Sequence, residues 1–269
     1  MPKQPLWRVL VDQGFFADKD TAARWIMAGA VLVNEQRIDK PGTAVAADAE
    51  VRVKGLDMRY VGRGGYKLEG ALADFHIPVT GRVALDTGAS TGGFTDCLLQ
   101  HGAAKVYSID VGFGQLAGKL RNDTRVVNME KTNIGAVLRS QLNPAPSLAA
   151  LDLSYLSLQK AVPIVTVLLA EPFDLLCLVK PLFEVVDAEA RRSGHLAVEA
   201  YPALLHELAQ YMEHSGLHMA GVTHSHIQGH NSTDEFFFWL QSHRNHSAEV
   251  DIPAQIRQAV AMVGGRVHT

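Results

Sequence analysis

The run Asp86-Thr87-Gly88-Ala89-Ser90-Thr91-Gly92-Gly93-Phe94 follows a short apolar stretch and opens into a segment of helical length. Glycines in such a turn let the backbone approach a ligand, and the first N–H groups of the following helix face that ligand. A nucleotide-like cofactor is therefore expected here. The dinucleotide fingerprint G-x-G-x-x-G is not met, because Ser90 stands where its second glycine would be and narrows the room for a pyrophosphate. Some twenty residues on, Tyr107-Ser108-Ile109-Asp110 ends in a carboxylate that can accept hydrogen bonds from both hydroxyls of an adenosine ribose, or cap the next helix. Asp152 closes a further apolar run and Lys180 another. A lysine at the end of an apolar strand is costly to place unless its charge is used.

These residues need a scaffold that brings strand ends to one crevice. Apolar runs at Val83–Asp86, Val106–Asp110, Val126–Met129, Leu148–Leu153, Leu175–Val179, His218–Val222 and Glu235–Leu240 read as strands, and most are separated by stretches of helical length such as Gly93–His101 and Leu156–Leu169. The alternation argues for an α/β fold: a seven-stranded, Rossmann-like parallel sheet covered on both faces. In such a sheet the C-terminal strand ends line the ligand crevice, so Asp152 and Lys180 should face the glycine turn. Composition shifts near residue 60. Before it, a helical piece at Thr21–Ala28 and β-branched pieces at Ala30–Val33, Thr43–Val45 and Glu50–Val53 make a small module of helices followed by a few strands. The expected division is a module over residues 1–57, a glycine-rich junction over 58–65 in which VGRGG is loop, and a catalytic domain over 66–269.

The 269 residues are 47% hydrophobic and 20% charged, a globular composition that excludes disordered and fibrous classes. The longest apolar run, Ala161–Leu169, contains Pro163 and falls far short of the roughly 20 residues of a membrane helix. No secretory signal is legible at the N-terminus, and a reducing cytoplasm is expected. Cys97 and Cys177 are too few and too far apart for a disulfide framework or thiolate metal site and read as buried thiols. The cluster His224, His226 and His230 suits a transition metal by ligand type, but no acidic or thiolate partner stands at a telling spacing, so no metal is expected.

Asp86–Phe94 with its continuation TDCLL, the Asp152-Leu-Ser-Tyr-Leu-Ser-Leu segment, Lys180-Pro-Leu-Phe-Glu184 and the Arg63-Gly-Gly-Tyr-Lys67-Leu-Glu entry together resemble the TlyA (hemolysin A) family of ribosomal RNA 2′-O-methyltransferases. The catalytic domain of that family is FtsJ-like. The resemblance runs colinearly from about residue 5 to residue 240 and implies S-adenosylmethionine as cofactor, held by Gly88, Ser90, Thr91, Gly92, Gly93, Phe94, Asp110 and Asp152. It places the catalytic Lys-Asp-Lys-Glu tetrad on Lys67, Asp152, Lys180 and Glu235. Residues 1–57 are similar to an S4-type RNA-binding domain, implying ribosomal RNA or a ribosomal subunit as partner. Arg8, Lys19 and Arg24, with Arg59 and Arg63 in the junction, are the expected phosphate contacts, and Lys3 and Arg37 are further cations of that module.

The sequence departs from the family pattern at Pro5, Asp18-Lys19, Thr21, Gly118 and Gly135, in the Arg191-Arg192-Ser193-Gly194 loop, and in the Ser232-Thr233-Asp234 approach to Glu235. Residues 1–57 carry eight basic and eight acidic side chains, within a chain of net charge −3. Attraction to RNA must then come from a local cluster around Arg59, Arg63 and Lys67, and should be sensitive to salt. Three rivals stay open at this point: an RNA- or ribosome-binding protein with lapsed catalysis, a membrane-active hemolysin and an oxidoreductase. The intact tetrad, the lack of an apolar span and Ser90 argue against them in turn.

Overall fold

A computed structural model describes residues 3–56, 58–185, 190, 192, 196–229, 233–243 and 250–264. The chain divides into two compact units, Met1–Arg63 and Gly64–Thr269.

The first unit runs β1 (Lys3–Pro5), α1 (Leu6–Asp12), α2 (Lys19–Met27), β2 (Val31–Val33), β3 (Gln36–Arg37), β4 (Ala44–Ala46) and β5 (Val51–Val53). Asp18 caps α2 by accepting the Thr21 N–H at 2.7 Å. Asn34 and Glu35, both at positive φ, turn β2 into β3. Leu6, Val9, Leu10, Ala22 and Ile26 from the helices bury against Val31, Val33 and Val53. The expectation of helices followed by strands needs correcting, because β1 precedes both helices and pairs antiparallel with β4. Three residues ending in proline carry no alternation to read, and proline is tolerated at such an edge.

The second unit holds α3 (Arg63–Phe75), β6 (Val83–Thr87), α4 (Gly93–Gln100), β7 (Lys105–Ile109), α5 (Gly118–Arg121), β8 (Val126–Met129), β9 (Leu148–Leu151), α6 (Leu158–Thr166), β10 (Asp174–Val179), α7 (Pro181–Glu184), α8 (Tyr201–His214), β11 (His218–His224), β12 (Phe236–Gln241) and α9 (Ile252–Gly264). The seven strands form one sheet in the order β11-β12-β10-β9-β6-β7-β8. Its core joins Leu85, Leu151, Leu175, Phe236 and Phe238 of the strands to Leu158, Val165, Leu205 and Met212 of the helices.

Two expectations are corrected here. The sheet is not wholly parallel, since β12 runs antiparallel to both β10 and β11. The 225–235 connection is too short to carry a crossover helix, so the chain must return antiparallel. The junction is not loop throughout either, because α3 begins at Arg63. Gly64 and Gly65 serve close packing: a Cβ at Gly93 would stand 2.9 Å from the Gly65 nitrogen, and one at Gly64 would meet the Phe94 ring at 3.1 Å. The glycines let the starts of α3 and α4 touch backbone to backbone.

Register brings the strand ends level. Thr87 pairs with Ile109 and Leu151, Cys177 with Leu151, and Val179 with Phe236. Gly88, Asp110, Asp152 and Lys180 therefore leave the sheet at one edge. Because β12 is reversed, Glu235 enters it at that same edge. At the opposite edge Arg82 pairs with Asp174 at 2.6 Å, and Trp239 Nε1 and Gln241 Nε2 each donate to the Asp174 carboxylate at 2.8 Å. Cys97 and Cys177 are buried thiols that form no disulfide among the described residues, and burial pushes the Cys177 thiol well up. Among the described residues no helix is long and apolar enough to cross a membrane.

Candidate active site

The turn after β6 is built on left-handed backbone, with φ of +84° at Gly88, +50° at Ser90 and +97° at Gly92. At Gly88 a Cβ would collide with the carbonyl oxygen of Asp152. Only glycine fits, since a side chain there meets both strain and a neighbouring backbone. Asp110 sets the conformation of the turn: its carboxylate accepts the Ser90 N–H at 2.7 Å and the Gly112 N–H at 2.6 Å. A carboxylate has about four acceptor sites, so these two amides leave capacity for ligand hydroxyls. Glu130 anchors the next segment by accepting the Gln115 and Leu116 N–H groups, and the Ala117 N–H donates to the Thr91 carbonyl at 3.1 Å.

Beneath the turn lies Asp86, fully buried on β6. One carboxylate oxygen accepts the Thr95 hydroxyl at 2.6 Å, and the other, Oδ1, has no hydrogen-bond partner among the described residues. Burial pushes this acid up to about 7; the Thr95 bond opposes the rise and the charges of Asp152 and Asp110 add to it.

Two lysine–carboxylate pairs stand at the same edge. Lys67 of α3 meets Glu235 at 2.5 Å, with only 10% and 4% of their side chains exposed. Lys180 pairs with Asp152 and also donates to the Ser154 hydroxyl at 2.8 Å. Burial raises the Glu235 carboxyl above its ordinary range; Lys67 is the larger opposing influence, while Asp152 pushes it up and Lys180 down. Glu235 thus lies within electrostatic reach of the other three residues.

The structure sorts the remaining expected residues. The Phe94 ring is buried, packing 6.2 Å from that of Phe237 and against Gly64. Thr91 and Gly93 lie in the turn and at the start of α4 as expected. Among the basic candidates, Arg8 pairs with Asp12 at 3.7 Å, Lys19 sits over the Trp7 ring at 5.3 Å, and Arg24 donates to Thr21 at 3.2 Å. Arg59 lies over the Tyr60 ring at 5.2 Å, and Arg63 starts α3. Of the histidines, His224 and His226 lie 5.1 Å apart and His230 falls outside the described residues; among those described, no group of three ligands could hold a metal. Sequence reasoning missed Ser154, Glu130 and the functional weight of Asp86. Ser154 was within reach, two positions after Asp152, whereas Glu130 acts through loop amides that no local pattern reveals.

The strand order, with its single reversed strand beside the edge, together with a glycine turn after the central strand, is that of a Rossmann-like methyltransferase. An FtsJ-like methyltransferase model matches residues 60–242, and an S4 domain model matches residues 4–51. The chain belongs to the FtsJ-like methyltransferase family. It is 39% identical over 240 residues to YqxC of Bacillus subtilis, covering 88% of this chain and 85% of that one. It is 38% identical over 237 residues to the 16S/23S rRNA (cytidine-2′-O)-methyltransferase TlyA of Mycobacterium tuberculosis, covering 87% and 88%. A solved structure from Streptococcus thermophilus, carried under a hemolysin name, superimposes with a TM-score of 0.82 at 36% identity over 98% of this chain and 96% of that one.

Proposed function

We propose that this chain transfers the methyl group of S-adenosylmethionine to a ribose 2′-hydroxyl of ribosomal RNA, as a cytoplasmic enzyme. The observation that carries the reading is the convergence of Lys180–Asp152 and Lys67–Glu235 at one sheet edge, with the Asp152 backbone against Gly88 of the turn. The names of the Mycobacterium tuberculosis relative and of the S4 match support the substrate class.

The residues fit the cofactor. Its amino-acid end carries an ammonium group close to the positively charged sulfonium, and the Asp86 oxygen that lacks a hydrogen-bond partner among the described residues, together with Asp152, is complementary to those positive charges. Gly88, Ser90, Thr91, Gly92 and Gly93 supply close backbone, and Asp110 supplies acceptors for ribose hydroxyls. When bound, S-adenosylmethionine supplies an electrophilic methyl group on a sulfonium.

The chain's own residues then have one task, which is to orient a weakly acidic hydroxyl and stabilise the charge that grows on its oxygen. Lys180 does this as a cationic donor whose position is fixed from two sides by Asp152 and Ser154. Lys67 and Glu235 form the second wall and orient the ribose. No side chain would become covalently modified: the bound cofactor would supply the methyl group and keep its sulfur as a neutral thioether, and the hydroxyl proton would pass to water while Lys180 stabilises the oxygen. The unit within residues 1–57 grips RNA through Arg8, Lys19 and Arg24, and the junction adds Arg59 and Arg63.

Methyl transfer from labelled S-adenosylmethionine to ribosomal RNA tests this, with Lys180→Ala as the diagnostic variant. The expected result is retained cofactor binding with transfer lowered about 10²-fold or more, the scale for losing one charge-stabilising donor. Full activity in that variant would overturn the assignment.

A further inference from the structure

We propose that Asp74 and His226 are positioning residues that zip α3 to the 225–235 connection and so hold Lys67 against Glu235. The inference rests on the proposed role of that pair in methyl transfer.

Lys67, Gly70 and Asp74 are spaced i, i+3 and i+7, which sets them on one face of α3. Each meets the same opposing stretch of chain. Lys67 bonds Glu235 at 2.5 Å. Gly70 lies under the His226 ring, so that a Cβ there would stand 2.8 Å from Nδ1. Asp74 accepts the Thr223 hydroxyl at 2.6 Å and lies 3.0 Å from His226 Nε2. The His224 ring lies beside that of His226, 5.1 Å away and tilted by 33°.

The described flanks of the connection are bonded to each other, so a shift at His226 would be passed to Glu235. Its first N–H, Ser225, donates to the Glu235 carbonyl at 2.8 Å, and the Gly229 N–H donates to the Thr233 carbonyl at 2.7 Å. Gly229 lies so near the Glu235 carboxylate that a Cβ would collide with Oε1. Moving His226 displaces Ser225, and with it the backbone that aims Glu235 at Lys67. Gly70 itself is informative. A glycine inside a helix costs about 1 kcal/mol relative to alanine, and the seat of an imidazole ring on the helix backbone accounts for its presence.

The test compares Gly70→Ala, Asp74→Ala, Asp74→Asn and His226→Ala in the full chain, reading kcat and KM separately and titrating the Glu235 carboxyl by 13C NMR. Helix propensity alone predicts that Gly70→Ala is harmless or stabilising. Positioning predicts that it lowers kcat roughly tenfold to a hundredfold, the scale for misplacing a reactive group by about 1 Å, with KM for S-adenosylmethionine unchanged. Asp74→Ala and His226→Ala should do the same and raise the Glu235 titration midpoint, because Lys67 is no longer held on it. Asp74→Asn keeps an acceptor for Thr223 and should restore most of kcat. Unchanged kcat with an unchanged Glu235 midpoint in Gly70→Ala and Asp74→Ala overturns the proposal, as does equal impairment of Asp74→Ala and Asp74→Asn. A wild-type chain without methyl transfer would instead overturn the proposed function, leaving the carboxyl titration to judge the positioning role.

Discussion

Replacing Lys67 by Met should destabilise the protein far more than replacing Lys67 and Glu235 together. The side chains are 10% and 4% exposed, so Lys67→Met leaves a carboxylate in a site whose burial already pushes it up and removes the main influence holding it down. Glu235→Leu leaves an ammonium equally stranded. Breaking a buried pair by deleting one partner costs about 3–5 kcal/mol, whereas exchanging both for apolar groups of similar volume is often neutral. For a domain stable by roughly 5–15 kcal/mol, a single loss of that size is severe. Urea denaturation of wild type, both single variants and Lys67→Met/Glu235→Leu gives the cycle, with an expected coupling of several kcal/mol. Methyl transfer should follow a different rule and fall similarly in all three variants, since the pair acts as a unit. A double variant as unstable as the sum of its parts would refute the buried-pair reasoning, and a double variant with full activity would make the pair purely structural.

Gly88→Ala should abolish S-adenosylmethionine binding, because φ of +84° costs a side chain about 1–2 kcal/mol and its Cβ strikes the Asp152 carbonyl; unchanged affinity by calorimetry would contradict this. Asp86 predicts a pH signature: with the folded acid raised from 3.8 to about 7, its contribution is fully present below about pH 4 and is lost as pH rises through 7. At 1.36 kcal/mol per unit the loss is roughly 4 kcal/mol, and Asp86→Asn should flatten that slope in denaturation curves recorded from pH 4 to 8. Asp174→Ala should cost about 3–5 kcal/mol by removing the acceptor of Trp239 and Gln241 and the ion-pair partner of Arg82, which keeps its bonds to Ser147 at the far edge, while activity per folded molecule stays at the wild-type level; a loss of activity without a loss of stability would show that this edge does more than hold the sheet.

Strand positions in the catalytic unit were legible because buried strands leave apolar runs, and each expected run falls within two residues of an observed strand end. The direction of β12 was not, since FFFWLQ reads the same either way; only the length of the 225–235 connection carries it. VGRGG misled for a physical reason: glycine serves loops and close helix contacts alike, and here Gly64 and Gly65 do the latter. The burial of the Phe94 ring against Phe237 was likewise not legible from its place in the glycine turn. The tetrad positions came from resemblance. Spacing alone could not join Lys67 to Glu235 across 168 positions of sequence, and the pairing of Asp74 with His226 was invisible for the same reason.

The central claim is the chemistry at the ribose, and the most direct measurement is a nucleotide-resolution map of alkali-resistant 2′-O-methyl sites on ribosomal RNA incubated with S-adenosylmethionine and either the wild-type chain or Lys180→Ala. At least one discrete resistant site is expected with the wild-type chain, and with the variant the same site lowered about 10²-fold or more. Methyl groups found on bases instead of ribose oxygens, or no incorporation by a chain that binds both S-adenosylmethionine and RNA, would contradict it.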